Sequence, residues 1–219
     1  MTRRLAIKWA PGEAVDARLA MPARPLEVGV LLAHGAGAGQ SHPFMENLRR
    51  GLSEAGHPTM TFDYAFTNAG RRAPDRMDKL IAVHRAAAER MATYVDRVVI
   101  AGKSMGGRIG SHLVGDQLWP AAGLVYYGYP LVPLGKTEAR PVDHLRRIAV
   151  PQLFFAGTRD RLSPSDTLVP LVTSLRSATL RLIEGGDHSF KVPKRTGLSH
   201  SQILGVLVAT TASWLAEQI

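Results

Sequence analysis

Cysteine is absent from all 219 residues. That excludes disulfides and thiolate metal sites, and it suits a reducing compartment. Long apolar runs are missing too. No stretch approaches the ~20 consecutive apolar residues needed to cross a bilayer. The opening MTRRLAIKWAPG is basic, but Lys8 breaks its apolar run and Pro11 and Gly12 stop it, so it does not read as a signal peptide. There is no low-complexity tract, no repeat of fixed period and no linker-like division. These gaps leave a cytoplasmic protein of one well-buried domain as the expectation.

Acidic residues are also scarce, 18 Asp and Glu against 27 Lys and Arg, for a net charge of +9. Such a balance fits a nucleic-acid partner, an anionic substrate or a solvated basic surface. The arginines are scattered in short pairs such as Arg49-Arg50 and Arg71-Arg72. The densest basic stretch, Lys191 to Arg195, has no aromatic beyond Phe190. Solvated surface is therefore the reading, with no nucleic-acid partner expected.

What is present is a rhythm of β-branched runs alternating with amphipathic stretches, which predicts a mostly parallel sheet covered by helices on both faces. Val28 to Ala33 reads as a buried strand that ends in the loop HGAGAG. A helix over 43–55 follows, with Phe44, Met45, Leu48 and Leu52 on one face and Gly56 as its stop. Strands are predicted at 59–64, 97–102, 122–127, 151–156 and 179–184. Pro74 is read as opening a long helix, Ser163-Pro164 as starting another, and 201–218 as the last. Residues 5–9 and 14–20 are read as an antiparallel edge hairpin. Residues 128–142 form a Pro/Gly-rich loop too short for a large lid.

The chemistry centres on Gly102-Lys103-Ser104-Met105-Gly106, a G-x-S-x-G pattern where a strand meets a helix. A serine on a sharp turn projects its hydroxyl above the sheet, and its flanking residues must be small for that turn to form. Two nucleotide motifs fail at this point. A P-loop ending in Gly102-Lys103-Ser104 needs glycine where Arg97 stands. A dinucleotide fingerprint in HGAGAG needs glycine where Gln40 or His42 stands. A serine nucleophile needs a base, and the base needs an orienting acid. Asp160 and His188 supply them, each after a predicted strand, where ligands gather in open α/β sheets. Asp187, Asp63 and Glu138 are the rival acids. Asp187 is a sequence neighbour that points poorly at its own ring, Asp63 lies early in the chain, and Glu138 is deep in a loop.

Acyl transfer also requires donors for the oxyanion. Met105 offers one backbone N–H, and the loop after His34 offers a second from Ala36 or Gly37. His34 itself is read as a brace for that loop. Lys103, Tyr127 and Tyr129 are candidates for lining the substrate pocket, and Lys103, Arg159 or Arg161 for attracting an anionic substrate. The other histidines show no H-E-x-x-H pattern, so no metal is implied, and no cofactor either.

Taken together, HGAGAG, GKSMGG, GYPL with its following GK, GTRD and GGDHSF resemble a small α/β-hydrolase group that contains testis-expressed-protein-30-like and dienelactone-hydrolase-like proteins. The resemblance runs from about Val28 to Leu215. It implies the α/β-hydrolase fold with minimal or no lid, and it carries the nucleophile, acid and base onto Ser104, Asp160 and His188. Lys103 stands where many esterases of this fold have histidine, and a polar residue sometimes found near Val132 is absent. The expected activity is cleavage of a small ester or thioester through an acyl-enzyme on Ser104. The alternative is a non-catalytic interaction protein that keeps the fold and uses its basic surface.

Overall fold

The computed structural model describes residues 2–219. Its eight strands form one sheet in the order β1-β2-β4-β3-β5-β6-β7-β8. The first two, β1 (Thr2–Ala10) and β2 (Glu13–Ala20), are an antiparallel hairpin at one edge, longer than the sequence pattern suggested. β2 runs antiparallel to β4 (Thr59–Phe62), and every later pairing is parallel. β3 (Val28–Ala33), β5 (Arg97–Lys103), β6 (Gly123–Tyr127) and β7 (Gln152–Gly157) make the centre, with β8 (Ala178–Ile183) at the far edge. The central strands are buried on both faces, which is why they read as continuous apolar runs instead of alternating ones.

Each face of the sheet has its own apolar layer. On one side α3 (Met77–Met91), α4 (Met105–Gly115) and α6 (Ser165–Thr173) pack with residues such as Leu31, Phe62, Ile100, Tyr126 and Phe154. On the other, α1 (Pro43–Glu54) and α7 (His200–Gln218) cover Val30, Leu32, Val99, Tyr127 and Phe155. The apolar spacing in α7 buries Ile203, Leu204, Leu207, Thr211, Trp214 and Leu215. Its start is fixed by a capping box, in which the Ser199 hydroxyl accepts from Gln202 N–H and Gln202 Oε1 accepts from Ser199 N–H. Gly56, at φ +98°, ends α1 in a conformation that favours glycine.

Three local features depart from the sequence expectation. α3 begins at Met77 instead of Pro74, because Asp75 turns back to accept from Arg71 Nη2 at 2.6 Å and the chain stays extended through Arg76. Two single-turn helices, α2 (Ala65–Asn68) and α5 (Asp143–Arg146), lie in segments to which the sequence pattern assigns no element. They are too short to show a helical period. No helix among the described residues is long and apolar enough to cross a membrane.

The docking of α7 supports a stability prediction. Leu207→Ala, at a fully buried position, is expected to cost about 2–5 kcal/mol. Ser199→Ala, which removes only the cap, should cost about 1 kcal/mol. Urea unfolding of the two variants beside the parent measures the gap, and equal midpoints would contradict this packing.

Candidate active site

Ser104 sits between β5 and α4 with φ 49° and ψ −114°, a backbone conformation that most side chains avoid. The turn closes only because its neighbours lack side chains. A Cβ on Gly102 would lie 2.2 Å from the Gly107 nitrogen, and one on Gly106 would lie 2.5 Å from the Ala33 carbonyl oxygen. The Ser104 N–H donates to the Tyr127 carbonyl at 3.1 Å, tying the turn to β6. The hydroxyl is thereby lifted above the C-terminal ends of the strands.

Asp160 and His188 arrive from the loops after β7 and β8. These loops approach so closely that a Cβ on Gly157 would lie 2.1 Å from the Gly186 carbonyl oxygen. The Arg159 N–H donates to that same oxygen at 2.9 Å. His188 Nδ1 is 2.8 Å from Asp160 Oδ2, and His188 Nε2 is 2.9 Å from Ser104 Oγ. A carboxylate only accepts, so Nδ1 carries the ring proton and Nε2 presents its lone pair to the serine hydroxyl. Asp160 is buried, and its other oxygen accepts from the Leu162 N–H at 2.8 Å.

The rival acids are engaged elsewhere. Asp187 accepts from the backbone N–H groups of Ser189 and Lys191, folding the loop that carries His188. Asp63 accepts from the backbone and side-chain nitrogens of Gln40. Glu138 lies exposed in its loop. The loop is finished by Phe190, a fully buried residue at φ 59° whose ring stacks on Phe44.

Lys103 has an unusual environment for a cation. Its ammonium donates to the His188 carbonyl at 2.6 Å and lies near the rings of Phe44 and Phe190. Burial lowers its pKa to about 8, against the pull of Asp160 and Asp187. Gly128, at φ +73°, leaves space for it, since a Cβ there would lie 3.2 Å from Lys103 Nζ and 3.4 Å from the His188 ring. Lys103 therefore lines the cleft while its charge holds the base loop.

His34 is fully buried, and its Nε2 accepts from the Tyr64 N–H at 3.1 Å. Its Nδ1–H is left to donate to the Gly35 carbonyl at 2.7 Å. Burial pushes its pKa down, so the ring is a neutral brace beneath the glycine loop. In that loop the N–H groups of Ala36 and Gly37 meet no backbone acceptor among the described residues. Met105, the first residue of α4, has an N–H free of the helix ladder as well.

Two clefts meet at Ser104. One, of about 360 Å³, runs past Ala36, Phe44, Met45, Lys103 and His188. The other, of about 340 Å³, runs past Met105, Arg108, Arg140 and Val132. Ala36 and Leu162 border both. Tyr127 and Tyr129 line neither, which corrects their reading as pocket residues. Tyr127 faces α7, with its hydroxyl 2.9 Å from Thr211 Oγ1, and Tyr129 faces α4, with its hydroxyl beside Ser111 and His144. Arg159 and Arg161 are exposed and stand outside the clefts. Sequence reasoning missed the cleft residues Arg108 and Leu162. Their signal lay in spacing, since Arg108 is one helical turn after Ser104 and Leu162 two residues after Asp160. No three His, Asp or Glu side chains cluster in a way that would hold a metal among the described residues.

Comparison with known proteins agrees with this architecture. The family described as an alpha/beta hydrolase domain matches residues 27–216, and the chain belongs to that family. Solved structures share its fold. The ferulic-acid-bound Est1E from Butyrivibrio proteoclasticus is 16% identical with a TM-score of 0.77, over 98% of this chain and 98% of that one. Dienelactone hydrolase from Anabaena variabilis is 16% identical with a TM-score of 0.76, over 100% and 98%. XC6422 from Xanthomonas campestris, an α/β serine hydrolase without a lid, is 17% identical with a TM-score of 0.74, over 97% and 94%.

The buried histidines generate a pH prediction. Burial lowers His84 to about 3 and His144 to about 4, and it lowers His34 as well. The unfolded chain takes up protons below about pH 6.5 that the folded chain refuses. Their stabilising contribution is therefore complete above that pH and is lost as pH falls towards the folded values. Each histidine adds up to about 1.4 kcal/mol per pH unit. Urea midpoints should drop from pH 7 to pH 4.5, and less steeply in His84→Gln. Identical slopes for parent and variant would refute this account.

Proposed function

We propose that the protein is a serine hydrolase that cleaves a small ester or thioester through an acyl-enzyme on Ser104. The observation that carries this reading is the unbroken hydrogen-bond chain from Asp160 through His188 to Ser104, at 2.8 and 2.9 Å. Membership of the hydrolase family supports it.

In this reading His188 Nε2 takes the serine proton as Ser104 Oγ attacks the substrate carbonyl. Asp160 keeps the imidazole in the required tautomer and stabilises the imidazolium that forms. The N–H groups of Met105 and of Ala36 or Gly37 receive the negative charge on the carbonyl oxygen. Because they are fixed by the turn and the braced loop, they need not reorganise during the reaction. His188 then gives its proton to the departing alcohol or thiol. Water attacks the acyl-enzyme with His188 as base, releasing the acid and restoring the serine. Two modest clefts without a lid favour a short acyl group and a compact leaving group. A chain without cysteine suits the reducing cytoplasm.

The test uses a fluorophosphonate probe and p-nitrophenyl acetate. The parent should label and turn over. Ser104→Ala should abolish labelling and lower kcat by at least about a thousandfold. Asp160→Asn should lower kcat by about 10²–10⁴-fold while still folding. A parent no more reactive than Ser104→Ala would overturn the enzymatic reading and favour a binding role for the same fold.

A further inference from the structure

The cleft that runs past Met105 contains two arginines, Arg108 and Arg140. Arg108 lies one turn along α4, where its N–H donates to the Ser104 carbonyl at 3.1 Å, so it rises on the same side of the helix as the nucleophile. Arg140 comes from the loop after β6, which is pinned where the Arg140 N–H donates to the Leu131 carbonyl at 2.8 Å. Both line the cleft, and among the described residues neither makes an ion pair with a carboxylate. Arg140 Nε is buried and has no hydrogen-bond partner at all.

Placing the two charges near one another is electrostatically costly. Burial lowers the Arg108 pKa, and the charge of Arg140 lowers it further. The phenols near Arg108 offer no compensating charge, because burial raises Tyr64 well above its usual range and pushes Tyr129 up to about 12. The one carboxylate on the cleft wall, Asp75, is already matched by Arg71 at 2.6 Å. Its second oxygen is buried, out of a ligand's reach. Among the described residues neither guanidinium is paired with a protein carboxylate, and an oxyanion entering the cleft would supply that partner. The same cleft is also lined by the apolar Met77, Leu80 and Val132.

We propose that this cleft is an acid-recognition subsite, in which Arg108 and Arg140 hold a carboxylate or phosphate at the end of a short hydrocarbon arm of the substrate. The proposal rests on the hydrolase reading for its connection to turnover. It narrows the substrate from a small ester to an ester or thioester whose acyl or leaving group carries a second acid function. Guanidinium forks suit such oxyanions because they offer paired, charge-assisted donors in one plane. The cations named earlier do not serve this role, since Lys103 is committed to the His188 carbonyl and Arg159 and Arg161 stand outside the clefts.

The experiment compares mono-p-nitrophenyl glutarate with p-nitrophenyl acetate on the parent, Arg108→Gln and Arg140→Gln. Arg85→Gln, in an exposed pair with Glu89, controls for net charge. In parallel, glutarate and inorganic phosphate are titrated calorimetrically against each protein. The parent should favour the glutarate ester in kcat/KM, and each cleft variant should lower the glutarate-to-acetate ratio by about tenfold or more. Arg85→Gln should keep the parental ratio. Saturable binding of glutarate or phosphate that weakens in the cleft variants supports the subsite, and the tighter titrant names the acid. If the acetate ester is turned over through Ser104 but the ratio is unmoved by either cleft variant, the subsite fails and the hydrolase reading stands. If no ester is turned over while glutarate or phosphate binding still depends on Arg108 and Arg140, the hydrolase reading fails and the subsite stands. Loss of the ratio in Arg85→Gln as well would overturn the subsite in favour of bulk charge.

Discussion

At one point in the molecule β5 and α4 approach so closely that no side chain fits between them, and the rest of the site depends on this contact. Gly102 and Gly106 meet backbone atoms directly, and the residue between their neighbours is forced to φ 49°. A serine held in that strained turn cannot fold back against the sheet. Its hydroxyl points outward, and the same turn leaves the first N–H of α4 beside it. The strain is sustained by the buried strands on either side, whose apolar contacts are broken if the turn relaxes.

The loops that carry Asp160 and His188 follow the same logic of close backbone contact. Gly157 and Gly186 let the ends of β7 and β8 converge, so Asp160 and His188 are positioned by strand ends and not by flexible loop alone. Phe190, in a left-handed conformation and stacked on Phe44, locks the far end of the base loop into the layer beneath α1 and α7. The catalytic geometry proposed above is thus an outcome of packing on both faces of the sheet. The clefts have no such rigid frame above them, since residues 128–142 cross only one side.

Much of this was legible in the sequence because it is written in local patterns. Continuous apolar runs marked the central strands, glycine spacing marked the turn at Ser104, and carboxylate and imidazole each followed a strand. What escaped is what local patterns do not encode. A strand buried on both faces gives no sign of which side a residue faces, so Tyr127 read as a pocket residue although its hydroxyl meets Thr211 of α7, and Tyr129, in the loop just after that strand, turns its hydroxyl to Ser111 of α4. Single-turn α2 and α5 have no period to detect. The start of α3 was decided by Asp75 folding back on Arg71, a contact that Pro74 does not announce. The convergence of Arg108 with Arg140 joins a helix to a distant loop, and only the folded chain brings them together.

Lys103 adjoins the proposed nucleophile in the chain and grips the main chain of the proposed base. The spacing between the Ser104 hydroxyl and the His188 ring is therefore set along one strand and a single bridging contact, without passing through Asp160. Lys103 thus tethers the backbone that carries the imidazole, while Asp160 fixes only the orientation of the ring.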